Sequence, residues 1–144
     1  KKLLLILLCL PMIGFGQNSP LFTIDQKMGV LSILYLVASS DEIDPIELIE
    51  IQSIRDKLDV SQNNIDEYNS KYKDDQELEV VLKRAMSELN SKQKKYLCDL
   101  IFVVVSADGL YHNSEKLSVQ IQAILNDFIQ DGEELKSKLD EKFR

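Results

Sequence analysis

The sequence predicts an all-α protein folded as a single compact helical bundle. Two observations carry this. Apolar residues recur at helical spacing through most of the chain. Breakers are sparse, with 3 Pro and 5 Gly in 144 residues, and the polar breaks between periodic segments are short and rich in helix-capping residues. No low-complexity tract and no linker long enough to divide two domains interrupts the pattern.

In chain order, Lys1 and Lys2 precede an apolar run from Leu3 to Leu10, then Pro11 and the small residues Gly14 and Gly16. This is the layout of a secretory signal peptide over residues 1–16, cleaved between Gly16 and Gln17. The run is far shorter than the roughly 20 apolar residues that span a bilayer. Leu8 before Cys9 stands where a lipoprotein signal has a small residue. The expected location is therefore periplasmic or secreted. Loss of Lys1 and Lys2 takes the net charge from −7 to −9. Such a chain repels nucleic acid and anionic lipid, so neither is an expected partner, and no stable membrane insertion is expected after cleavage. Cleavage also removes Cys9, leaving Cys98 without an intramolecular disulfide partner. Its apolar surroundings make it a small buried hydrophobe.

The helical domain is expected over residues 17–130, with a C-terminal helix or tail over 131–144. Ile24 to Ser39 carries a stripe of Ile24, Met28, Leu31, Tyr35 and Ala38, widened by Val30, Ile33, Leu34 and Val37 until the helix is apolar almost all round. Such a helix belongs in the middle of a bundle. Asp44-Pro45-Ile46-Glu47 is a helix start: Asp44 caps, Pro45 suits the first helical position and Glu47 reaches back toward the cap. The helix it opens runs to about Leu58 and is expected to bury Leu48, Ile51, Ile54 and Leu58. After the break Asp59-Val60-Ser61, Gln62 to Tyr72 forms a weaker helix on Ile65, Tyr68 and Tyr72. Asp74 to Glu88 is amphipathic through Leu78, Val81, Leu82, Ala85, Met86 and Leu89. Ser91 is expected to cap the next helix, which turns Tyr96, Leu97, Leu100, Ile101, Val104 and Val105 inward. Gly109 suits the left-handed residue after that helix. A further helix, started by Asn113 or Ser114, carries Leu117, Ile121, Ile124, Leu125 and Phe128 on one face. Beyond Asp131-Gly132, the segment from Glu133 to Phe143 offers only Leu135, Leu139 and Phe143, which predicts a thinly attached helix or frayed tail.

Two stretches repeat. Leu36-Val37-Ala38-Ser39-Ser40-Asp41-Glu42-Ile43 matches Val103-Val104-Val105-Ser106-Ala107-Asp108-Gly109-Leu110, and Asp41 and Asp108 lie 67 residues apart. Each is the end of an apolar helix, then an Asp, then a downstream Glu (Glu47 or Glu115) at the head of an amphipathic helix. The expectation is two quasi-repeated helix-turn-helix units about a pseudo-twofold axis, with the apolar helices side by side.

The chain here resembles the TerB-like family, named for a tellurite-resistance protein and related to a domain found beside some J-domain co-chaperones. That family is marked by a pattern close to A-D-G-x-I-x-x-x-E. Ala107-Asp108-Gly109 and Glu115 carry it in the second unit, with Tyr111 in place of isoleucine. In the first unit Asp41 matches, Glu42 replaces the glycine, and Glu47 arrives one residue early. The resemblance covers Met28 to Phe128. It implies a helical bundle of two such units and a metal-binding, stress-related role.

Asp41, Glu42, Asp44, Glu47, Asp108 and Glu115 put carboxylates on turns that could face one another. Calcium or magnesium takes oxygen ligands of this kind, so Asp41, Asp44, Glu47, Asp108 and Glu115 are candidate ligands of a divalent cation. The spacing is not that of an EF-hand. The simpler reading is capping by Asp44, with glutamates in first turns where the helix dipole favours negative charge. Asp41, Glu42, Asp108 and His112 are candidate contacts for a protein partner. His112, the chain's single histidine, lacks the neighbours a zinc or catalytic site needs. Lys92, Lys94 and Lys95 beside Tyr96 read as a solvated helix start, and Tyr35, Tyr68, Tyr72 and Tyr111 as packing residues. No Ser-His-Asp set, glycine-rich phosphate loop or Cys-His cluster is legible. The expected function is a non-enzymatic binding or scaffold module, with a divalent-metal-binding stress protein as the alternative.

Overall fold

Val30, Ile33 and Leu34 are wholly buried, and Val37 and Ala38 nearly so. That stretch forms the hub helix of the molecule. The computed structural model describes residues 20–40, 44–107 and 115–143, and among them it contains helices and no strand. The helices are α1 (Ile24–Ser39), α2 (Pro45–Lys57), α3 (Gln62–Lys71), α4 (Asp75–Ser87), α5 (Ser91–Ser106), α6 (Glu115–Phe128) and α7 (Gly132–Lys142). The all-helical bundle expected from periodicity is what the chain forms. No helix of the described residues is long and apolar enough to cross a membrane.

Helices α2, α4, α5 and α6 all pack on α1. An apolar face that wraps most of the way round a helix demands partners on several sides, and α1 has them. Helix α4 meets α1 at Gly29, where a Cβ would stand 2.5 Å from Met86 Cε. Gly29 is thus the notch that receives the buried Met86. The core continues through Leu97, Leu100, Ile101 and Val104 of α5, Ile121 and Leu125 of α6, and Leu135 and Leu139 of α7. Fully burying each such aliphatic side chain is worth about 1.5–3 kcal/mol against exposure.

The helix starts are mostly set by side-chain caps. Thr23 with Gln26, and Ser61 with Asn64, form reciprocal capping boxes at α1 and α3. Asp44 and Asp74 cap α2 and α4. At α5 the cap is Asn90 rather than Ser91: Asn90 Oδ1 accepts from the Gln93 amide at 2.8 Å, and Gln93 Oε1 accepts from the Asn90 amide at 2.8 Å. Both residues are good caps. The difference is that Asn90 places a glutamine three residues on, and that glutamine closes the box. Between α2 and α3 the chain turns at Asp59, whose φ of 58° is left-handed.

Helix α7 is neither thin nor frayed. It packs along both α5 and α6, with Leu135 and Leu139 buried. The Phe143 ring lies 4.8 Å from that of Phe102 on α5. Lys136, although charged, is buried, donating to Ser118 Oγ of α6 at 2.7 Å and pairing with Asp140 at 2.6 Å. Lys142 Nζ pairs with Asp99 of α5 at 2.5 Å. At the α6–α7 corner, Asp131 makes no side-chain cap and pairs instead with Lys94 at 3.1 Å.

Candidate functional site

Of the carboxylates expected to form a metal or partner site, two are fully described. Asp44 is committed to its helix: Asp44 Oδ1 accepts from the Ile46 amide at 2.9 Å. Glu47 sits in the first turn of α2, where the macrodipole favours its charge. Asp41, Glu42, Asp108, Gly109, Tyr111 and His112, and the side chain of Glu115, lie outside the described residues, as does the 1–16 segment. Among the described residues no group of three or more His, Cys, Asp or Glu side chains is placed to hold a metal ion.

The described part of the surface holds a different feature. An open apolar cleft of about 590 Å³ runs between α1 and α2. Met28, Leu31, Ser32, Tyr35 and Leu36 form the α1 wall, and Leu48, Ile51, Gln52 and Arg55 the α2 wall, with Ile65 of α3 at one side. Two expectations are corrected here. Tyr35 is 52% exposed and is no packing residue, and Leu48 is 39% exposed rather than buried. Leu36 is exposed in the cleft as well, and the exposed Ile46 and Ile49 carry the apolar character past it along α2. The cause is the position of α2: it leans on α1 and α5, yet within the helix only Ile54 is buried. The sequence did hold a signal. Ile46, Leu48, Ile49, Ile51 and Ile54 spread over more of the helix than a single contact line can cover.

The remaining candidates are structural. Tyr68 is buried, donates its phenol O–H to Asp25 Oδ1 at 2.9 Å, and lies with its ring centroid 4.9 Å from that of Tyr72, the planes tilted by 55°. Burial, then the Asp25 carboxylate, pushes its pKa well above the ordinary phenol range. Cys98 is buried, with its thiol donating to the Leu135 carbonyl at 3.4 Å. Burial, and then the neighbouring Asp99 charge, pushes it up to about 11. A thiol held protonated in this way is a poor nucleophile at neutral pH. Of the basic cluster at the start of α5, Lys92 and Lys95 are exposed while Lys94 is engaged with Asp131.

Comparison with protein-family models, with curated protein sequences and with solved structures returns no significant match to this chain.

Proposed function

We propose that this chain is an exported, non-enzymatic binding module built from two quasi-equivalent helix pairs, α1–α2 and α5–α6, in the TerB-like manner. A single offset supports the pairing. The buried residues of α1 are Gln26, Gly29, Val30, Ile33, Leu34, Val37 and Ala38. Moved by the 67 residues that separate Gln26 from Gln93, they become Gln93, Tyr96, Leu97, Leu100, Ile101, Val104 and Val105. Those are the buried residues of α5, with Cys98 the one addition. The same offset carries Ile54 and Leu58 onto Ile121 and Leu125, all four buried. Packing agrees, since α6 lies on α1 while α2 lies on α5.

The observation that carries the binding role is the apolar cleft, since apolar surface left uncovered beside a well-filled core marks an interaction site. The partner is a protein that engages the cleft and, on the sequence pattern, the acidic segments Asp41–Glu47 and Asp108–Glu115. The chain's net charge of −7 favours a basic partner surface. Capture from an envelope extract tests this, with the wild-type chain set against Tyr35→Lys and against Asp41→Ala with Asp108→Ala. One captured protein should be lost with Tyr35→Lys and weakened by the acidic changes. Indifference of every captured protein to all three substitutions would remove the reading.

A further inference from the structure

We propose that the α1–α2 cleft takes an amphipathic helix of another protein, seated as α7 is seated on α5 and α6. This rests on the binding-module reading and on the 67-residue equivalence, and it names the partner's chemistry. Four cleft residues, Leu31, Ser32, Tyr35 and Ile51, correspond by that offset to Cys98, Asp99, Phe102 and Ser118. Helix α7 covers every one of those four. The Leu135 carbonyl meets Cys98 Sγ at 3.4 Å, Lys142 pairs with Asp99 at 2.5 Å, Phe143 lies against Phe102 with centroids 4.8 Å apart, and Lys136 meets Ser118 at 2.7 Å. One half of the molecule thus has its groove filled by a helix, and in the other half the same positions line an open cleft, with Tyr35 exposed and Leu31, Ser32 and Ile51 half-buried.

Helix α3 follows α2 as α7 follows α6, yet it does not fill the place. It shares no extended packing with another described helix, and its Ile65 reaches just one side of the cleft. Its anchor, Tyr68, is bonded to Asp25 in the first turn of α1. Tyr35 lies toward the other end of α1, roughly 15 Å away at 1.5 Å of rise per residue.

The floor of the cleft defines what fits. In α7, Leu135, Leu139 and Phe143 recur every fourth residue and face inward, accompanied by Lys136 and Lys142. The polar partners of those two lysines have no equal in the cleft: Ile51 replaces Ser118, and the neutral Ser32 hydroxyl, which donates to the Met28 carbonyl at 2.8 Å, stands where Asp99 offers a carboxylate. The incoming helix therefore carries apolar residues at i, i+4 and i+8, with no lysine on that face. Its outward face is basic, because this chain carries 24 acidic against 17 basic residues. A second copy fits poorly, being equally acidic and having its own α7 already seated.

The test uses the full chain and a fluorescein-labelled peptide of about four helical turns. Leucines stand at i, i+4 and i+8 and lysines on the far side. An isomer of identical composition has its leucines spread around the helix. The amphipathic peptide should bind, gain helical circular dichroism, and lose at least about tenfold in affinity with Tyr35→Lys or Leu48→Glu. Val119→Glu, an exposed position on the filled half, should leave binding unchanged. Tyr35 is half in solvent, so Tyr35→Lys should fold and decides the matter if Leu48→Glu does not. Equal binding of the two isomers, equal loss with Val119→Glu, displacement of the peptide by dodecanoate, or self-association through Tyr35 in sedimentation overturns the proposal. An extract partner that still needs Tyr35 when no peptide binds removes the helical occupant while leaving the binding module standing.

Discussion

Replacing Gln93 by alanine should unpin the first turns of α1 and α5 from each other. Gln93 is 6% exposed, and its side chain makes three hydrogen bonds. Oε1 accepts from the Asn90 amide at 2.8 Å, and Nε2 donates to the Leu21 carbonyl at 2.7 Å and to Gln26 Oε1 at 3.3 Å. A net hydrogen bond is worth about 0.5–1.5 kcal/mol, and the longest of these counts for least. Gln26 Oε1 keeps its bond from the Thr23 amide at 3.0 Å, so it is not orphaned. The loss is therefore about 2–3 kcal/mol, which lowers Tm by roughly 10 °C in a domain of this size. Gln93→Glu should be worse, because a carboxylate oxygen would face the Leu21 and Gln26 oxygens in place of the amide donor. Urea denaturation of Gln93→Ala, Gln26→Ala and the double variant measures the coupling, expected to be at least about 0.5 kcal/mol between residues in contact. A loss under about 0.5 kcal/mol for Gln93→Ala, or strictly additive changes, would refute the reasoning.

Two glycines should respond differently to alanine. At Gly132 a Cβ would stand 2.7 Å from the Asn126 amide nitrogen and from the Leu125 carbonyl carbon, backbone that cannot step aside. Gly132→Ala should therefore cost about 1–3 kcal/mol in urea unfolding. At Gly29 the obstacle is the movable end of Met86, and the roughly 1 kcal/mol gain in helix propensity offsets the repacking, so its cost should be clearly smaller. Hydrogen exchange should show α7 amides near Leu135 and Leu139 protected like those of α5, and Phe143→Ala should raise their exchange rates. Cys98 should resist a thiol reagent at pH 8 until the chain is unfolded. Its pKa rises from 9.0 to about 11 on folding, so the protonated thiol favours the native state. That contribution is complete below pH 9 and is lost as pH climbs to 11. Tyr68, raised in the same direction from 10.0, adds to the loss above pH 10. Cys98→Ala should flatten stability between pH 9 and 10, read by denaturant titration at each pH.

The helices and most of the core were legible because their apolar residues fall on single faces: the inward set expected for α5 is buried in full. Two features could not be read from periodicity. Leu48 shares the spacing of Ile51 and Ile54, yet burial needs a neighbour, and at that point of α2 there is none close enough. In α7, three apolar positions suggested weak attachment. The hold comes from contacts that apolar periodicity does not register, namely the ring of Phe102, the hydroxyl of Ser118 and the carboxylate of Asp99. The cap at Asn90 was missed by one residue because two good caps are adjacent and only the partner Gln93 separates them. The cleft was hidden for the same reason as the exposure of Leu48. Its existence depends on where α3 fails to go, which is a matter of tertiary spacing.

The junction between the starts of α1 and α5 is made of amides and carbonyls: Gln26, Gln93, Asn90 and the backbone of Leu21. No proton enters or leaves such a joint anywhere between vinegar and lime water. Mild acid that empties the surface carboxylates of charge would leave this clasp shut, and the two longest helices would stay aligned while the ion pairs around them let go.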